Sequence, residues 1–596
     1  MSLNKDCILD NWGKRLKLFR WLILCFFLII ILRLFHLQVV KGEFYAIRAE
    51  NNRLEIESIP APRGVIYDRK GRILATNRPC FCLLLYPQKL PHKKHILESY
   101  ASFLAPILKK SPSEIMSMLK KSLVYPLRPI YLKKDLTWEE VTTLESSHYF
   151  FSALKIHVIP LRFYPHCSLA CHLLGYVSLI SAEEIKSMPE AEPIDFIGKI
   201  GIEKLLQSTL AGKKGKRFLE VDALGHIRRV LKETPPISGN NLYLTLDAKL
   251  QAYAEQLLKG KTGVIVALSP KTGEVLTLAS NPGFDPNLFV NGMDKKTWQK
   301  LKDNPQNPLQ NRATTGVYPP GSILKIVTAL AALENKVISA HTKINCPGKF
   351  LFGDRVFRCW KKGGHGVLDI KRAIIQSCDV FFYQLGAWLG IEKLADYAKQ
   401  CGFGQYSGIG IEEVSGHVPA SPNKWPKGEA LNMAIGQGSF LATPLQIAQF
   451  FAALANGGNI YRPRIVLKIV GPKGKIVEET KPKINSKLPI STHNLKLIKE
   501  ALAGVINDPR GTGYNARSHR VVIAGKTGTA QVISLPQKKL SKLPVSHRDH
   551  AWFAGFAPVK TPQIAVVVLI EHGGHGGATA APIATKLIEA YLNENS

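Results

Sequence analysis

One strongly apolar stretch stands out near the N-terminus of the chain. It runs from Phe19 to Val40, and no charged residue interrupts Trp21 to Leu32. With its flanks it has the roughly 20 residues that a helix needs to cross a bilayer. Basic residues at positions 14, 15, 17 and 20 precede it, and no small-residue cleavage site follows it. The pattern predicts an uncleaved signal anchor over 19–40, with residues 1–18 in the cytoplasm and the rest of the chain outside it.

Beyond the anchor, short apolar runs alternate with charged and turn residues, which predicts twisted strands and hairpins. Between about residues 90 and 150, apolar residues recur every three to four positions, and this spacing predicts helices. A further helix is predicted to open at Gly198–Glu203, and a strand at Phe218–Val221. No nucleophile–base pair or phosphate loop is apparent up to residue 235. Residues 41–235 are therefore interpreted as a mixed α+β pedestal domain.

The turn-rich segment Thr234–Gly239 predicts a domain boundary, with a second domain over residues 236–596. Strands and helices are expected there in turn, with helical segments dominating from about 322 to 456. The expected strands are Leu242–Leu246, Val264–Leu268, Val275–Ala279, Val521–Val532 and Gln563–Ile570, and the outer helices are Ala248–Leu258 and Ala581–Leu592. Strands at both ends with helices between them predict a multidomain α/β fold, in which a mainly antiparallel sheet from distant segments is flanked by helices.

Composition narrows the class of protein. The chain has 596 residues, an apolar content of 45% and a formal net charge of +34. The length predicts two or three domains, and the apolar content excludes disorder throughout. Although the charge suggests nucleic-acid binding, the basic residues are dispersed, and no zinc-finger, RNA-recognition or basic-zipper spacing occurs. We therefore expect no nucleic-acid partner and interpret the charge as a basic face towards anionic lipid or cell-wall polymer.

A candidate nucleophile follows the rigid turn Tyr318–Gly321. Ser322 begins an apolar helix predicted to run to about Leu333. Serine is a favoured helix cap, so capping alone is the simpler interpretation. Capping leaves Lys325 unexplained, which lies three residues on and hence on the same helix face. Burial and the positive helix N-terminus both favour its neutral amine, which can act as a general base for the serine hydroxyl.

The tripeptide Lys-Thr-Gly occurs three times. Lys261–Gly263 lies in a loop, and Lys271–Gly273 is the turn of the predicted hairpin, which needs glycine for its backbone angles. Only Lys526–Gly528 lies within an extended run. There its lysine and threonine can meet the C-terminal carboxylate of a peptide docked by strand addition, and its glycine permits close approach.

A third segment, Ser377-Cys378-Asp379, lies between the other two motifs. On its own it would be interpreted as a helix cap. Its position favours proton transfer by Ser377 between Lys325 and a leaving group. Asp379 stands where the commoner pattern has asparagine, and it could hold Lys325 or Lys526 by charge.

These three motifs, in this order, resemble those of class A β-lactamases and penicillin-binding proteins. With the anchor, further segments are similar to class B penicillin-binding proteins over nearly the whole chain: Arg63–Arg69, Gly436–Gly438 and Thr443–Gln446. Three segments resemble the penicillin-binding protein 2 subfamily more narrowly, namely Cys359–Gly366, Ser377–Asp379 and Ala551–Pro558. Aspartate in the second motif is usual in that subfamily.

The resemblance implies a serine-type D-Ala-D-Ala transpeptidase that cross-links peptidoglycan at the inner membrane during cell elongation and is inhibited by β-lactams. Ser322 would attack the penultimate D-Ala carbonyl, and backbone N–H groups of Ser322 and Thr529 would form the oxyanion hole. Lys526 would complete the catalytic set, with Thr527, Gly528 and Thr529 binding substrate. No cofactor is implied for the chemistry. The implied partners are stem peptides, the membrane, a RodA-like glycosyltransferase and other proteins of the elongation complex. The pedestal would be of the family's dimerisation type.

A possible metal site needs separate attention. Cys346, Cys359, His365 and Cys378 offer a Cys₃His set, whose soft ligands suit tetrahedral Zn²⁺. Disulfide pairing or buried thiols stay open as alternatives. The resemblance implies a zinc at matching positions, which four protein ligands would make structural. Two histidine pairs without carboxylates are interpreted as solvated or substrate-side: His547/His550 and His572/His575.

Several functions stay open beside cross-linking in elongation. Septal cross-linking is one. A D,D-carboxypeptidase or β-lactamase is another, with Glu412 or Glu413 as the base that activates water. The last is a lactam sensor or scaffold without catalysis. The anchor and the long pedestal argue against a dedicated lactamase.

Overall fold

The computed structural model describes residues 5–126, 128–147, 149–188, 190–222, 227–419, 428–532 and 547–594. These fall into two compact units. The smaller comprises Met1–Ala61 and Lys213–Ile237, and the larger comprises Pro62–Gly212 and Ser238–Ser596.

The smaller unit starts with the helix Lys5–Phe35, which continues as a π-helix over His36–Val40. Within it, Arg15–Val40 is long and apolar enough to cross a membrane, and its most apolar window is wholly exposed. An exposed apolar helix of this length is consistent with the predicted single-pass anchor. The unit is completed by the helix Gly42–Arg53 and by a three-stranded antiparallel sheet ordered Leu54–Ile59, Gly215–Val221, Ile227–Thr234.

The larger unit contains a seven-stranded sheet to which both halves of the sequence contribute. Its strands are Ile66–Tyr67, Ile73–Leu85, Ile130–Lys133, Leu154–Phe163, Asn241–Leu244, Val466–Val470 and Ile476–Glu479. Asn241–Leu244 pairs in parallel with Ile66–Tyr67 and antiparallel with Val466–Val470. This sheet therefore continues across the domain boundary predicted near residue 235, and the predicted domain limits stay a prediction.

Helices surround the N-terminal part of this sheet, with one strand where the sequence predicted helix. The elements are the helices Lys94–Leu108, Pro112–Ser122, Trp138–Ser146, Cys171–Leu174, Ala182–Ser187, Gly201–Leu205 and Gln207–Leu210, and the strand pair Val177–Leu179 and Phe196–Gly198. The expectation of helix throughout 90–150 is wrong at Ile130–Lys133, which pairs with Leu83–Leu85. Local apolar spacing does not reveal a strand partner that lies so far away in the sequence.

A buried ion cluster lies beneath this part of the fold. The Glu203 carboxylate has no exposed surface and contacts Arg63 Nη2 at 2.7 Å and Arg162 Nε at 2.6 Å. Tyr164 Oη donates to the same carboxylate at 3.1 Å. Burial raises the pKa of Glu203, but the two guanidinium groups outweigh it and leave the pKa below its usual value. The carboxylate is therefore held as an anion between two permanent cations.

A five-stranded antiparallel sheet forms the centre of the C-terminal half. Its strands are β1 (Gly263–Leu268), β2 (Val275–Asn281), β3 (Ala524–Ala530), β4 (His550–Ala557) and β5 (Ile564–Ile570), in the spatial order β2-β1-β5-β4-β3. Strands β1 and β2 form the predicted hairpin, and Gly273 in its turn has φ +69°. Strand β3, which carries Lys526–Gly528, lies at the edge of the sheet.

Strand β3 is shorter than the predicted Val521–Val532. At one end its partner β4 stops at Ala557, and the next residue, Pro558, has no N–H to extend the ladder. At the other end β4 begins at His550, which pairs with Ala530. The strand therefore ends where its partner ends, although the apolar run continues.

The helices of this half are Ala248–Leu257, Asn287–Asn291, Lys295–Lys302, α1 (Lys325–Glu334), Ile370–Ile375, α2 (Asp379–Gln400), Glu429–Ala434, α3 (Pro444–Asn456), α4 (Thr492–Asn507) and α5 (Gly576–Glu594). Of these, Ala248–Leu257, α3, α4 and α5 pack on the strands of the sheet. Small strand pairs join Ile344–Cys346 to Gly366–Leu368, Lys349–Phe352 to Arg355–Arg358 and Asn459–Tyr461 to Ile484–Lys487. Every residue of β5 is buried, because α3 and α5 pack on the central strands. The predicted multidomain α/β class with a mainly antiparallel sheet is confirmed.

Candidate active site

The turn before Ser322 brings the backbone of that residue against strand β3. Gly321 has φ +56°, and a Cβ atom there would lie 2.5 Å from the Thr529 carbonyl oxygen. Its N–H donates to Gly436 O at 2.8 Å, and a Cβ on Gly436 would clash with Gly321 in turn. Only glycine fits such contacts at positive φ. Close packing of two glycines therefore sets the half-buried Ser322 beside Thr529.

The helix predicted from Ser322 begins three residues later. Gly321–Ile323 is a 3-10 turn, and α1 starts at Lys325. Ser322 consequently makes no capping contact as the N-cap of α1, a place that Leu324 takes. The capping interpretation of the serine is thus not supported by the geometry.

Lys325 is fully buried and is surrounded by the second motif. Its Nζ donates to Ser377 O at 2.9 Å, to Ser377 Oγ at 3.2 Å and to Asp379 Oδ1 at 2.6 Å. An ammonium has three protons to donate, so these contacts use all of them. Of the two lysines that Asp379 was expected to hold, it is Lys325 that forms the ion pair.

The backbone of Ser377 is bent to make these contacts possible. The residue has φ +52°, which is uncommon for a side chain with a Cβ. Its carbonyl accepts from Lys325 and from Trp360 Nε1, at 2.9 and 3.1 Å. Cys378 then acts as N-cap residue of α2, which begins at Asp379. A turn of this kind directs both the hydroxyl and the carbonyl of Ser377 at one lysine.

Lys526 is the second fully buried lysine of the site. Its Nζ donates to Thr527 O at 3.0 Å. Burial and then the charge of Lys325 hold the pKa of Lys526 well below its usual value, which Asp379 offsets only in part. Burial therefore favours the neutral form of Lys526, and the expectation that this residue meets a substrate carboxylate stays a prediction.

The remaining residues of the third motif line the edge of β3. Thr527 is buried, and its Oγ1 lies 2.6 Å from Thr512 Oγ1. Further along the edge, the Gln437 amide donates to Thr529 O at 3.0 Å and accepts from Gln531 N at 3.3 Å. Gln437 thereby occupies the strand edge beyond Thr529 and leaves the edge at 526–528 for a peptide.

Comparison with known proteins finds two family models and several relatives that match the chain. Residues 58–244 match the family model of the penicillin-binding protein dimerisation domain, and residues 263–589 match that of the penicillin-binding protein transpeptidase domain. The peptidoglycan D,D-transpeptidase MrdA of Acinetobacter baumannii is 38% identical over 96% of this chain and 86% of its own. MrdA of Escherichia coli K12 is 34% identical over 95% of this chain and 92% of its own.

The chain belongs to the penicillin-binding protein 2 family of class B peptidoglycan D,D-transpeptidases.

Solved structures of this family have the same fold. Penicillin-binding protein 2 of Helicobacter pylori, in complex with MreC, is 31% identical with a TM-score of 0.78 over 91% of this chain and 99% of its own. Penicillin-binding protein 2 of Pseudomonas aeruginosa, in complex with WCK 5153, is 31% identical with a TM-score of 0.67 over 90% and 97%. The family, fold class and enzyme class predicted from the sequence are confirmed.

A cysteine–histidine cluster adjoins the second motif. One ligand atom from each of Cys346, Cys359, His365 and Cys378 lies within 4.8 Å of the others. His365 Nδ1 is 3.6 Å from Cys346 Sγ and 3.5 Å from Cys359 Sγ. A hydrogen bond from Cys378 holds the pKa of the Cys359 thiol below its usual value. The structure thus brings together all four residues of the predicted ligand set.

Two histidines outside this cluster contact each other instead. His572 N donates to His550 Nδ1 at 3.0 Å, and the two rings lie 4.8 Å apart. Both are partly buried, and burial lowers the pKa of His550 to about 4. His547 and His575, by contrast, are exposed. In the described residues, the cysteine–histidine cluster is the only group of three or more such ligands.

Sequence reasoning missed two residues of the site. Trp360 N donates to Asp379 Oδ2 at 2.9 Å, opposite the oxygen that holds Lys325. Gln437 was noted only as part of a family segment, although its amide pairs with β3. Neither residue type suggests catalysis by itself. The sole available signal was the proximity of Trp360 to Cys359 in a segment shared with the family.

Proposed function

We propose that this chain cross-links peptidoglycan stem peptides during cell elongation, through an acyl-enzyme on Ser322. The observation that carries the proposal is the buried Lys325, one turn after Ser322, with its amine on Ser377 and Asp379. The similarity to MrdA proteins supports the elongation role.

In the first step, Ser322 Oγ attacks the carbonyl carbon of the penultimate D-Ala. Once Lys325 has given up a proton, its amine takes the hydroxyl proton of Ser322, and Ser377 relays a proton to the departing nitrogen. The C–N bond breaks, D-Ala leaves with that proton, and the peptidyl group stays on Ser322 as an ester. The N–H groups of Ser322 and Thr529 stabilise the oxyanion, which the close contact of Gly321 with Thr529 supports.

In the second step, an amine of a neighbouring stem peptide attacks the ester. The new amide bond forms as the C–O bond to Ser322 breaks, and the serine oxygen regains its proton through Lys325. The donor peptide lies along the edge of β3 at Lys526–Gly528, where no strand of the described residues pairs with β3 on that side. Thr527 binds its C-terminal carboxylate, and Gly528 lets the chain pass close to the strand.

The hydrolase alternative receives no support from the two glutamates considered for it. Glu412 accepts from Gly201 N at 3.0 Å and lies 3.5 Å from Lys204. Glu413 accepts from Ser407 and Gly408. Both carboxylates are thus engaged outside the motif cluster, so neither is positioned to activate water for deacylation.

The decisive experiment maps the penicillin adduct. Full-length protein in detergent is incubated with labelled benzylpenicillin, digested and analysed by mass spectrometry. We expect a long-lived adduct on the peptide containing Ser322, none in Ser322→Ala and an unchanged adduct in Ser339→Ala, an exposed turn serine. Rapid turnover of penicillin would contradict the transpeptidase proposal. If cells with Ser322→Ala still cross-linked their peptidoglycan, the alternative of a scaffold without catalysis would be favoured.

We further propose a single-pass topology with the N-terminus in the cytoplasm. The catalytic part then lies on the extracytoplasmic side of the inner membrane, where its substrate is found. A RodA-like polymerase is the proposed partner, which is supported by a solved relative described as coordinating polymerization and crosslinking in a peptidoglycan synthase complex, with a TM-score of 0.69. The Helicobacter relative in complex with MreC supports other elongation partners.

The cysteine–histidine cluster is proposed to hold a structural Zn²⁺. Tetrahedral bonds of about 2.3 Å to sulfur and 2.0 Å to nitrogen separate the two ligand atoms by about 3.5 Å, which fits the measured 3.5 and 3.6 Å. Bound there, the metal would tie together the segments that carry Trp360 and Asp379. Its role would be to hold them in place.

Metal analysis of the purified full-length protein tests this proposal. We expect about one zinc per chain, lost in Cys346→Ser and Cys359→Ser but kept in Cys401→Ser, a buried cysteine outside the cluster. Absence of stoichiometric metal, or a disulfide between two of the four ligand residues, would refute it.

A further inference from the structure

A pair of threonine hydroxyls lies at the inner end of the β3 edge. Thr512 Oγ1 is 2.6 Å from Thr527 Oγ1, which is hydrogen-bonding distance for two hydroxyls. Thr527 is buried, whereas Thr512 is partly exposed. Thr512 lies in a short loop after α4, in no motif considered for catalysis. It is nonetheless in direct contact with a residue of the third motif.

The loop is packed so tightly that the position of Thr512 is fixed. A Cβ on Gly511 would lie 2.3 Å from Val505 O, and one on Gly577 would lie 2.2 Å from Thr512 O. Thr512 N donates to Ile375 O at 3.3 Å, and Gly513 N donates to Val505 O at 3.0 Å. The end of α4 and the start of α5 therefore hold the Thr512 hydroxyl against Thr527.

In a pair of hydroxyls, one is the hydrogen-bond donor and the other the acceptor, and the choice decides which proton stays free. Each threonine hydroxyl has one proton to donate and can accept in addition. If Thr527 donated to Thr512, its only proton would be unavailable to a substrate carboxylate. If Thr512 donates instead, the Thr527 proton stays free and points away from the pair.

We propose that Thr512 is a positioning residue for substrate binding: it donates its hydroxyl proton to Thr527, so that Thr527 donates its own to the C-terminal carboxylate of the donor peptide or of a β-lactam. This rests on the proposed acyl-enzyme function and adds a residue to it. A hydrogen bond to a charged group is among the stronger ones in proteins. Loss of the Thr512 donor therefore weakens recognition of carboxylate-bearing ligands and leaves the acylation machinery intact.

The test compares benzylpenicillin with its methyl ester, which lacks the carboxylate. Second-order acylation rates are measured on the full-length protein. In Thr512→Val, which has nearly the same shape, we expect the rate with benzylpenicillin to fall roughly tenfold and the rate with the ester to stay unchanged. Thr512→Ser should restore the wild-type preference, because it keeps the hydroxyl. Thr527→Val should also lose the preference for benzylpenicillin over the ester. The double variant Thr512→Val/Thr527→Val should show no larger loss than Thr527→Val alone.

Several results would overturn the proposal. If Thr512→Val slowed acylation equally with benzylpenicillin and with its ester, the role of Thr512 would be merely structural. If both rates stayed at the wild-type value, Thr512 would have no role in substrate binding. Thr143→Val, on an exposed pedestal helix, is the matched control. If Thr512→Val fails to fold, Thr512→Ala takes its place, and we expect the same ratio of the acylation rates with acid and ester. A wild-type protein without any adduct on Ser322 would refute the proposed function itself, whereas an adduct insensitive to Thr512 would refute only this inference.

Discussion

Two buried clusters in this chain combine one carboxylate with two basic side chains, yet only one of the clusters can transfer a proton. In the pedestal, Glu203 lies between Arg63 and Arg162. In the catalytic half, Asp379 binds Lys325, and Lys526 lies close enough for its pKa to respond to both. The difference is the kind of cation, because a guanidinium keeps its proton in proteins whereas an ammonium can lose it when buried.

The charge of each cluster depends on whether its basic residues are arginines or lysines. Both arginines contact Glu203, whose pKa they hold below its usual value, so the pedestal cluster is a fixed set of paired ions. Lys526 instead donates to a backbone carbonyl, and burial lowers its pKa, which favours its neutral form. Because a lysine can gain and lose a proton, the catalytic cluster can move one, whereas the arginines of the pedestal cluster can only hold their charge.

Lys325→Arg makes the catalytic cluster resemble the pedestal and should have the largest effect. The guanidinium keeps the charge opposite Asp379 but cannot accept a proton from Ser322. We expect the rate of acylation by fluorescent penicillin to fall by about 10²- to 10⁴-fold. Lys399→Arg, at an exposed ion pair, is the control that should keep the full rate. Substantial acylation by Lys325→Arg would mean that another group is the base.

Glu203→Gln breaks the pedestal cluster and should affect stability rather than chemistry. Two buried guanidinium groups would lose their counter-charge, which costs about 3–5 kcal/mol in free energy of unfolding. Denaturation of the full-length protein measures this, with Glu98→Gln on an exposed helix as the control. Acylation per folded molecule should be unchanged, so a selective loss of rate would place the pedestal cluster in catalysis.

Lys526→Met should separate stability from activity. Unfolded Lys526 keeps its proton up to about pH 10.5, and folded Lys526 releases it at lower pH, so raising the pH through this window stabilises the folded protein. The methionine variant should lose that pH dependence and gain roughly 1 kcal/mol at pH 7, while acylation falls about 10²-fold. Lys499→Met, at another lysine whose pKa burial lowers, should keep the acylation rate. An unchanged pH profile of stability in Lys526→Met would show that Lys526 is charged.

Asp379→Asn should have the smallest effect of the four. The amide oxygen can still accept from Lys325, but its NH₂ group would face the Trp360 N–H in place of an acceptor. We expect about a tenfold slower acylation, measured beside Asp303→Asn on an exposed helix end. A loss as large as that of Lys325→Arg would mean that the charge of Asp379 is indispensable.

The sequence predicted those parts of the site that depend on local spacing. Ser322 and Lys325 are one turn apart, and the turn at Gly273 could be told from the strand at Gly528 by flanking residues alone. Alternation and periodicity likewise predicted the hairpin of β1 and β2. Such signals are contained within a few residues, so no knowledge of distant partners was required.

What the sequence left unpredicted depends on contacts between distant segments. Thr512 meets Thr527 only because α4, α5 and β3 converge, and no residue pattern around Thr512 indicates that meeting. Trp360 contacts Asp379 across a folded-back loop. One end of β3 is likewise set by Pro558, which follows its partner strand β4. Propensity and periodicity carry no information on these tertiary contacts.

The pairing of Asn241–Leu244 with both Ile66–Tyr67 and Val466–Val470 limits how the gene can recombine. A gene segment encoding only residues from 236 onward would yield a protein whose sheet has lost its neighbouring strand and exposes unpaired backbone groups to aggregation. An exchange of the catalytic half between relatives at residue 236 must therefore provide a strand at Ile66–Tyr67 that still pairs with Asn241–Leu244.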